Sequence, residues 1–67
     1  MIPTAYKIAE MRKQRGITQD ELAQKSGVSR AIVSGLESGR IKVTTTQTLF
    51  KLAKALGCKV SDIFFEE

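Results

Sequence analysis

The chain has no histidine and a single cysteine, Cys58, among its 67 residues. One thiol excludes an intrachain disulfide, and the lack of histidine removes the usual Cys/His metal sets. Cys58 therefore reads as a small apolar filler rather than a redox centre. No apolar run approaches the ~18 residues that a membrane span needs. The opening stretch MIPTAYKIAEMRKQRG carries charges every few residues, where a secretory signal needs an unbroken apolar core. A soluble, reducing, cytoplasmic setting is expected. There is no nucleophile–base pair and no glycine-rich phosphate loop, so an enzyme, a cofactor and a small-molecule ligand are not expected. Convincing strand patterns, internal repeats and low-complexity segments are also lacking.

What remains is short, basic and helix-prone. At this length one domain, residues 1–67, is expected, without room for a ligand-sensing module. A chain this small buries only about 60% of its unfolded surface, so locally consistent helices or a partner chain must supply stability. The net charge is +4. Cations dominate residues 1–15, 29–43 and 44–59, whereas Asp62, Glu66 and Glu67 make the tail acidic. This balance fits a nucleic-acid partner, with the tail turned away from it.

Residues 1–3 read as a short leader. A first helix is expected from a Thr4 cap to about Arg15, with Ala5, Ile8 and Met11 on one side and Gly16 as the stop. Thr18-x-x-Glu21 is a capping box that opens a second helix over residues 19–25, held by Leu22 and Ala23. Ser26-Gly27-Val28 forms the turn, with Gly27 supplying a left-handed backbone and Val28 tucked inward. Ser29 caps a third helix that continues to about Ser38. Its back is Ile32, Val33 and Leu36; Ser29, Arg30 and Ser34 fall on another face, the front, with the small residues Ala31 and Gly35 among them. Gly35 inside this helix costs on the order of 1 kcal/mol relative to alanine, which implies close packing or close approach to a ligand. The linker over residues 40–46 holds Arg40, Lys42 and an exposed-looking Ile41. Thr45 or Thr46 caps a fourth helix over residues 47–56, with the stripe Leu49, Leu52, Ala53 and Leu56 and with Phe50 on a second edge. Ser61 caps a last short helix, from Asp62 to about Phe65.

A helix with a packed back and an uncluttered polar front suits insertion into the major groove. There, residues near its amino end read base edges. Arg30 can donate two hydrogen bonds to guanine O6 and N7, worth roughly 1–3 kcal/mol of discrimination. A phosphate clamp or a solvated surface arginine is the alternative. Ala31 can touch a thymine methyl, Ser34 shares the face, and Gly35 would let the helix sit deep. Phosphate contacts are expected from Gln19, from the helix starts at Thr18 and Ser29, and from Arg40 and Lys42.

Met11-Arg12, Gly16, Thr18-Gln19, Leu22-Ala23, Gly27-Val28-Ser29, Ile32, Glu37-x-Gly39, Leu52-Ala53, Ala55-Leu56-Gly57 and Asp62-Ile63-Phe64 form a combined pattern. It resembles the lambda Cro/CI-type, or XRE-like, helix-turn-helix domain over residues 8–64. The resemblance implies an all-α, five-helix bundle of the lambda repressor-like kind and sequence-specific binding of double-stranded DNA. It implies that the helix over residues 29–38 enters the major groove. It also implies that Gln19 contacts a phosphate and braces that helix, and that Arg12 and Glu37 form an ion pair fixing its angle. Two departures stand out. The loop Val43-Thr44-Thr45-Thr46 lacks the Pro-Ser step of many members and is about one residue longer. Arg30 is the only long side chain among the base-facing positions.

One such domain offers few contacts, so a homodimer on a pseudo-palindromic operator is expected, its half-sites about one helical turn apart. The interface is expected from Phe50, Phe64 and Phe65, with Phe64 inward and Phe65 toward the partner. Those rings could equally complete the monomer core. The leading expectation is a dimeric transcriptional repressor. The competing one is an antitoxin or other module that holds a partner protein, with DNA binding secondary.

Overall fold

The computed structural model describes residues 4–66; the leader at residues 1–3 lies outside them. Five helices follow one another: α1 (Ile8–Gln14), α2 (Gln19–Ser26), α3 (Arg30–Ser38), α4 (Thr46–Leu56) and α5 (Val60–Ile63). They are flanked by two three-residue strands, β1 (Thr4–Tyr6) and β2 (Phe64–Glu66). The five-helix architecture agrees with expectation. The strand pair is an addition to it, and it moves both ends of the bundle.

Thr4 does not cap α1. The strands pair antiparallel with Thr4 opposite Glu66, Ala5 opposite Phe65 and Tyr6 opposite Phe64. Aromatic residues favour a pleated, half-buried surface, and here Tyr6 and Phe64 lie with ring centroids 5.6 Å apart. The Lys7 amide then donates to the Ile63 carbonyl at 2.8 Å, so α1 begins only at Ile8. For the same reason α5 ends at Ile63 rather than Phe65, because Phe64 is already extended (φ −133°, ψ 130°). Its start shifts too. Asp62 Oδ2 accepts from the Lys59 amide at 2.9 Å, so the carboxylate itself secures the first turn and Ser61 is not the cap.

The core is formed by one or more residues from each helix: Ile8, Leu22, Val33, Leu36, Leu49, Leu52, Ala53, Leu56 and Ile63, with Val28 from the turn. No polar or charged residue among those described is fully buried. The central helix α2 packs on both α3 and α4. Its short length makes that packing, not intrinsic propensity, its main support. Thr45 caps α4, its Oγ1 accepting from the Thr48 amide at 3.1 Å. Ile41 is half-buried against the core, contrary to its exposed look in the sequence. No helix among the described residues is long and apolar enough to cross a membrane.

Candidate nucleic-acid interface

The site is built from the turn outward. Thr18 Oγ1 accepts from the Glu21 amide at 3.1 Å, and Glu21 Oε1 accepts from the Thr18 amide at 2.8 Å, completing the capping box. Gly27 ends α2 with φ +77°, a left-handed conformation that a Cβ would strain. Its amide donates to the Ala23 carbonyl at 2.9 Å, and Val28 turns into the core. Ser29 Oγ accepts from the Ile32 amide at 3.2 Å and starts α3. These contacts present Ser29, Arg30 and Ala31 in a row, all exposed, at the amino end of α3. Ser34 is half-buried one turn on.

Behind that row, a single carboxylate joins three helices. Glu37 of α3 receives Arg12 Nε at 2.8 Å and Arg12 Nη2 at 3.1 Å from α1, and Gln19 Nε2 at 2.9 Å from α2. Arg12 Nη1 also donates to the Ile17 carbonyl at 2.9 Å. The two charged side chains are 14% and 7% exposed, so water screens them little. Burial opposes ionisation of Glu37, but the bonds from Arg12 and Gln19 and the fields of Arg12 and Lys13 outweigh it. They hold the carboxyl below its usual range. The Glu37 bond likewise raises Arg12, against the opposing effect of burial. The pair expected from the sequence is thus a triad, and bracing by Gln19 is direct. An amide nitrogen has two hydrogens, and its bond to Glu37 uses one, leaving one for a phosphate.

Gly35 is corrected. It is buried, not part of the exposed front, and a Cβ built on it would collide with the Ile41 side chain, 2.6 Å from Cγ1. Packing accounts for this glycine, and it leaves the groove-facing set. The Ile41 amide donates to the Gly35 carbonyl at 3.0 Å, which clips the loop onto the end of α3. With Ile41 turned in, its neighbours Arg40 and Lys42 are exposed on either side. The Lys42 carbonyl accepts from the Tyr6 hydroxyl at 2.9 Å, and Arg40 Nε reaches Ser38 Oγ at 3.4 Å. The loop without the Pro-Ser step is therefore held by an apolar plug and by the β1 tyrosine.

One neighbour of the front is not evident from helix patterning. Arg30 Nε lies 2.8 Å from Oδ1 of Asp20, an α2 residue that counts only as a charge in the linear pattern. Its signal is positional: Asp20 and Arg30 lie in the first turns of successive helices joined by a tight turn. Arg15 is also assigned a place, since its Nε donates to the Leu56 carbonyl at the end of α4 at 2.9 Å. Of the phenylalanines, Phe50 is 59% exposed, Phe64 is half-buried on Tyr6, and the side chain of Phe65 lies outside the described residues. Phe50 adjoins a shallow apolar hollow with Ala53, Cys58 and Val60. Burial, then the Asp62 charge, push the Cys58 thiol up against a smaller opposing effect of Arg15. That disfavours a reactive thiolate. Among the described residues no His, Cys, Asp and Glu side chains group to hold a metal ion.

A helix-turn-helix family model matches residues 8–63. Among curated proteins, the chain is 45% identical over 49 residues to an uncharacterised HTH-type transcriptional regulator, y4dJ, of Sinorhizobium fredii, covering 73% of this chain and 62% of the relative. It is 39% identical over 61 residues to the immunity repressor protein of Bacillus phage phi105, covering 91% of this chain but 42% of the repressor. Among solved structures, the restriction-modification controller protein C.AhdI from Aeromonas hydrophila superposes with a TM-score of 0.78 at 32% identity, covering 84% of this chain and 83% of that one. The sequence pattern, the five-helix bundle and these matches agree. The chain belongs to the lambda Cro/CI-type helix-turn-helix family of DNA-binding transcriptional regulators, which are not enzymes.

Proposed function

We propose that this protein is a dimeric, cytoplasmic repressor whose α3 helix enters the major groove of a pseudo-palindromic operator. One observation carries the reading. Arg30 and Ala31 are exposed at the amino end of a helix whose back is fastened to α1 and α2 through Glu37. A rigidly held helix with an exposed front suits base reading, because the helix itself needs no reordering on binding. Arg30 donates to guanine, and Ala31 meets a thymine methyl. Thr18, Gln19, Ser29, Arg40 and Lys42 serve the phosphates. Ser34 lies at the edge of the contact. Residues 1–67 act as one DNA-binding domain. Phe50 and Phe65 meet the second copy, and Phe64 supports them from within. Repression follows from occupancy, since a bound dimer excludes polymerase from overlapping sequence. Repression is in keeping with one relative being named an immunity repressor protein and a structural relative a restriction-modification controller protein.

Selection of bound sequences from a random DNA pool tests this directly. Two related half-sites about one helical turn apart are expected. A pool that stays random after repeated rounds would overturn the reading.

A further inference from the structure

The Arg30–Asp20 pair is out of keeping with a surface that meets a polyanion. Its side chains are 63% and 78% exposed, and an exposed ion pair adds at most about 1 kcal/mol to stability. Both helices it bridges already have hydroxyl caps, at Thr18 and Ser29. A carboxylate beside the reading arginine is repelled by phosphate, so it weakens binding to every sequence alike. What it does supply is restraint. A free arginine has many rotamers, and beside DNA its guanidinium can settle on phosphate as readily as on a base. Nε lies 2.8 Å from Asp20 Oδ1 as an ion pair without an aligned hydrogen bond, so the attraction of the carboxylate biases where the guanidinium sits; no other described residue engages it, and both Nη groups remain available to donate.

We propose that Asp20 is a positioning residue for base recognition. It orients the Arg30 fork so that the two Nη groups face guanine O6 and N7, and its charge discourages the swing toward phosphate. The inference rests on the reading of Arg30 as a base contact. Asp20 thus contributes to specificity without touching DNA, and it lowers overall affinity while doing so.

The experiment compares the parent, Asp20→Asn, Arg30→Ala and the double variant. Each is titrated on the selected operator and on duplexes altered at the base pair whose preference Arg30→Ala abolishes. Asp20→Asn is expected to bind the altered duplexes as tightly as the parent or tighter. The ratio of operator to altered-duplex affinity is expected to fall about two- to fivefold, the range that one exposed ion pair supports. In the Arg30→Ala background, Asp20→Asn is expected to leave that ratio unchanged. If Asp20→Asn tightens all duplexes equally and keeps the parent ratio, Asp20 is only a repulsive charge and the proposal fails while the Arg30 reading stands. If Arg30→Ala weakens every duplex equally, the base-contact reading itself falls and takes the proposal with it. Thermal unfolding of Asp20→Asn near the parent value excludes a folding cause.

Discussion

The Ile41 side chain lies directly over Gly35, in the space that a Cβ there would occupy. A helix interior ordinarily gains about 1 kcal/mol when glycine becomes alanine. Here the gain is opposed by a steric clash, and overpacking typically costs about 1–3 kcal/mol. Gly35→Ala is expected to lower the unfolding midpoint in urea. In an Ile41→Ala background the same substitution is expected to become neutral or stabilising. The cycle of four proteins measures the coupling, and additive effects would mean that the two residues do not touch.

Glu37→Gln removes the charge that Arg12 faces while keeping the shape. A destabilisation of roughly 2–3 kcal/mol is expected, below the full cost of breaking a wholly buried pair. The pH dependence has a defined sign. Glu37 titrates lower in the folded protein than in the unfolded chain. Its contribution is therefore complete above the ordinary carboxylate value of about 4.3, and it is lost as pH falls from there through the folded value. The stability difference between parent and Glu37→Gln is expected to shrink over that acid window. A difference that stays constant with pH would show that the charge is not what matters.

Arg40→Ala is expected to weaken binding to all DNA sequences alike and to reduce the slope of log affinity against log salt by about one. Arg30→Ala is expected to lose preference at one base pair, at a cost of roughly 1–3 kcal/mol on the operator. The contrast between the two, read from titrations at several salt concentrations, separates backbone contact from base contact. An unchanged slope for Arg40→Ala would remove it from the phosphate set.

Phe50 is more than half exposed, so Phe50→Asp leaves the fold intact while placing charge in the expected dimer contact. Light scattering at micromolar concentration is expected to report monomers for Phe50→Asp and for Phe65→Asp. A dimer that persists in both would move the interface elsewhere.

Much of this arrangement is legible in the linear pattern. The caps Thr18, Ser29 and Thr45, the turn at Gly27 and the stripe of Leu49, Leu52, Ala53 and Leu56 express local rules that need no knowledge of the fold. The Arg12–Glu37 link follows from the family resemblance. The misread parts depend on distant partners. Tyr6 and Phe64 become strand residues because they meet each other across 58 positions of chain, and nothing local forces Thr4-Ala5-Tyr6 out of a helix. Ile41 looks exposed because its companions are polar, yet the notch at Gly35 receives it. Asp20 looks like a solvated helix-start charge until the tight turn brings Arg30 beside it.

The pairing of β1 with β2 also bears on the order of folding. The helix contacts, chiefly α2 with α3 and α4 and α4 with α5, span shorter stretches of chain, whereas the ribbon closes a loop spanning almost the whole described chain. Such closure is entropically the last to be compensated, so the ribbon is expected to zip after the bundle has formed and to fray before it melts. Tyr6 sits on that ribbon and holds the Lys42 carbonyl. Fraying therefore releases the loop carrying Arg40 and Lys42 while α2 and α3 stay folded. Hydrogen exchange should then show an early-opening amide at Lys7 alongside slow ones at Val33 and Leu36, giving the protein a loosely latched basic loop beside a firmly seated α3.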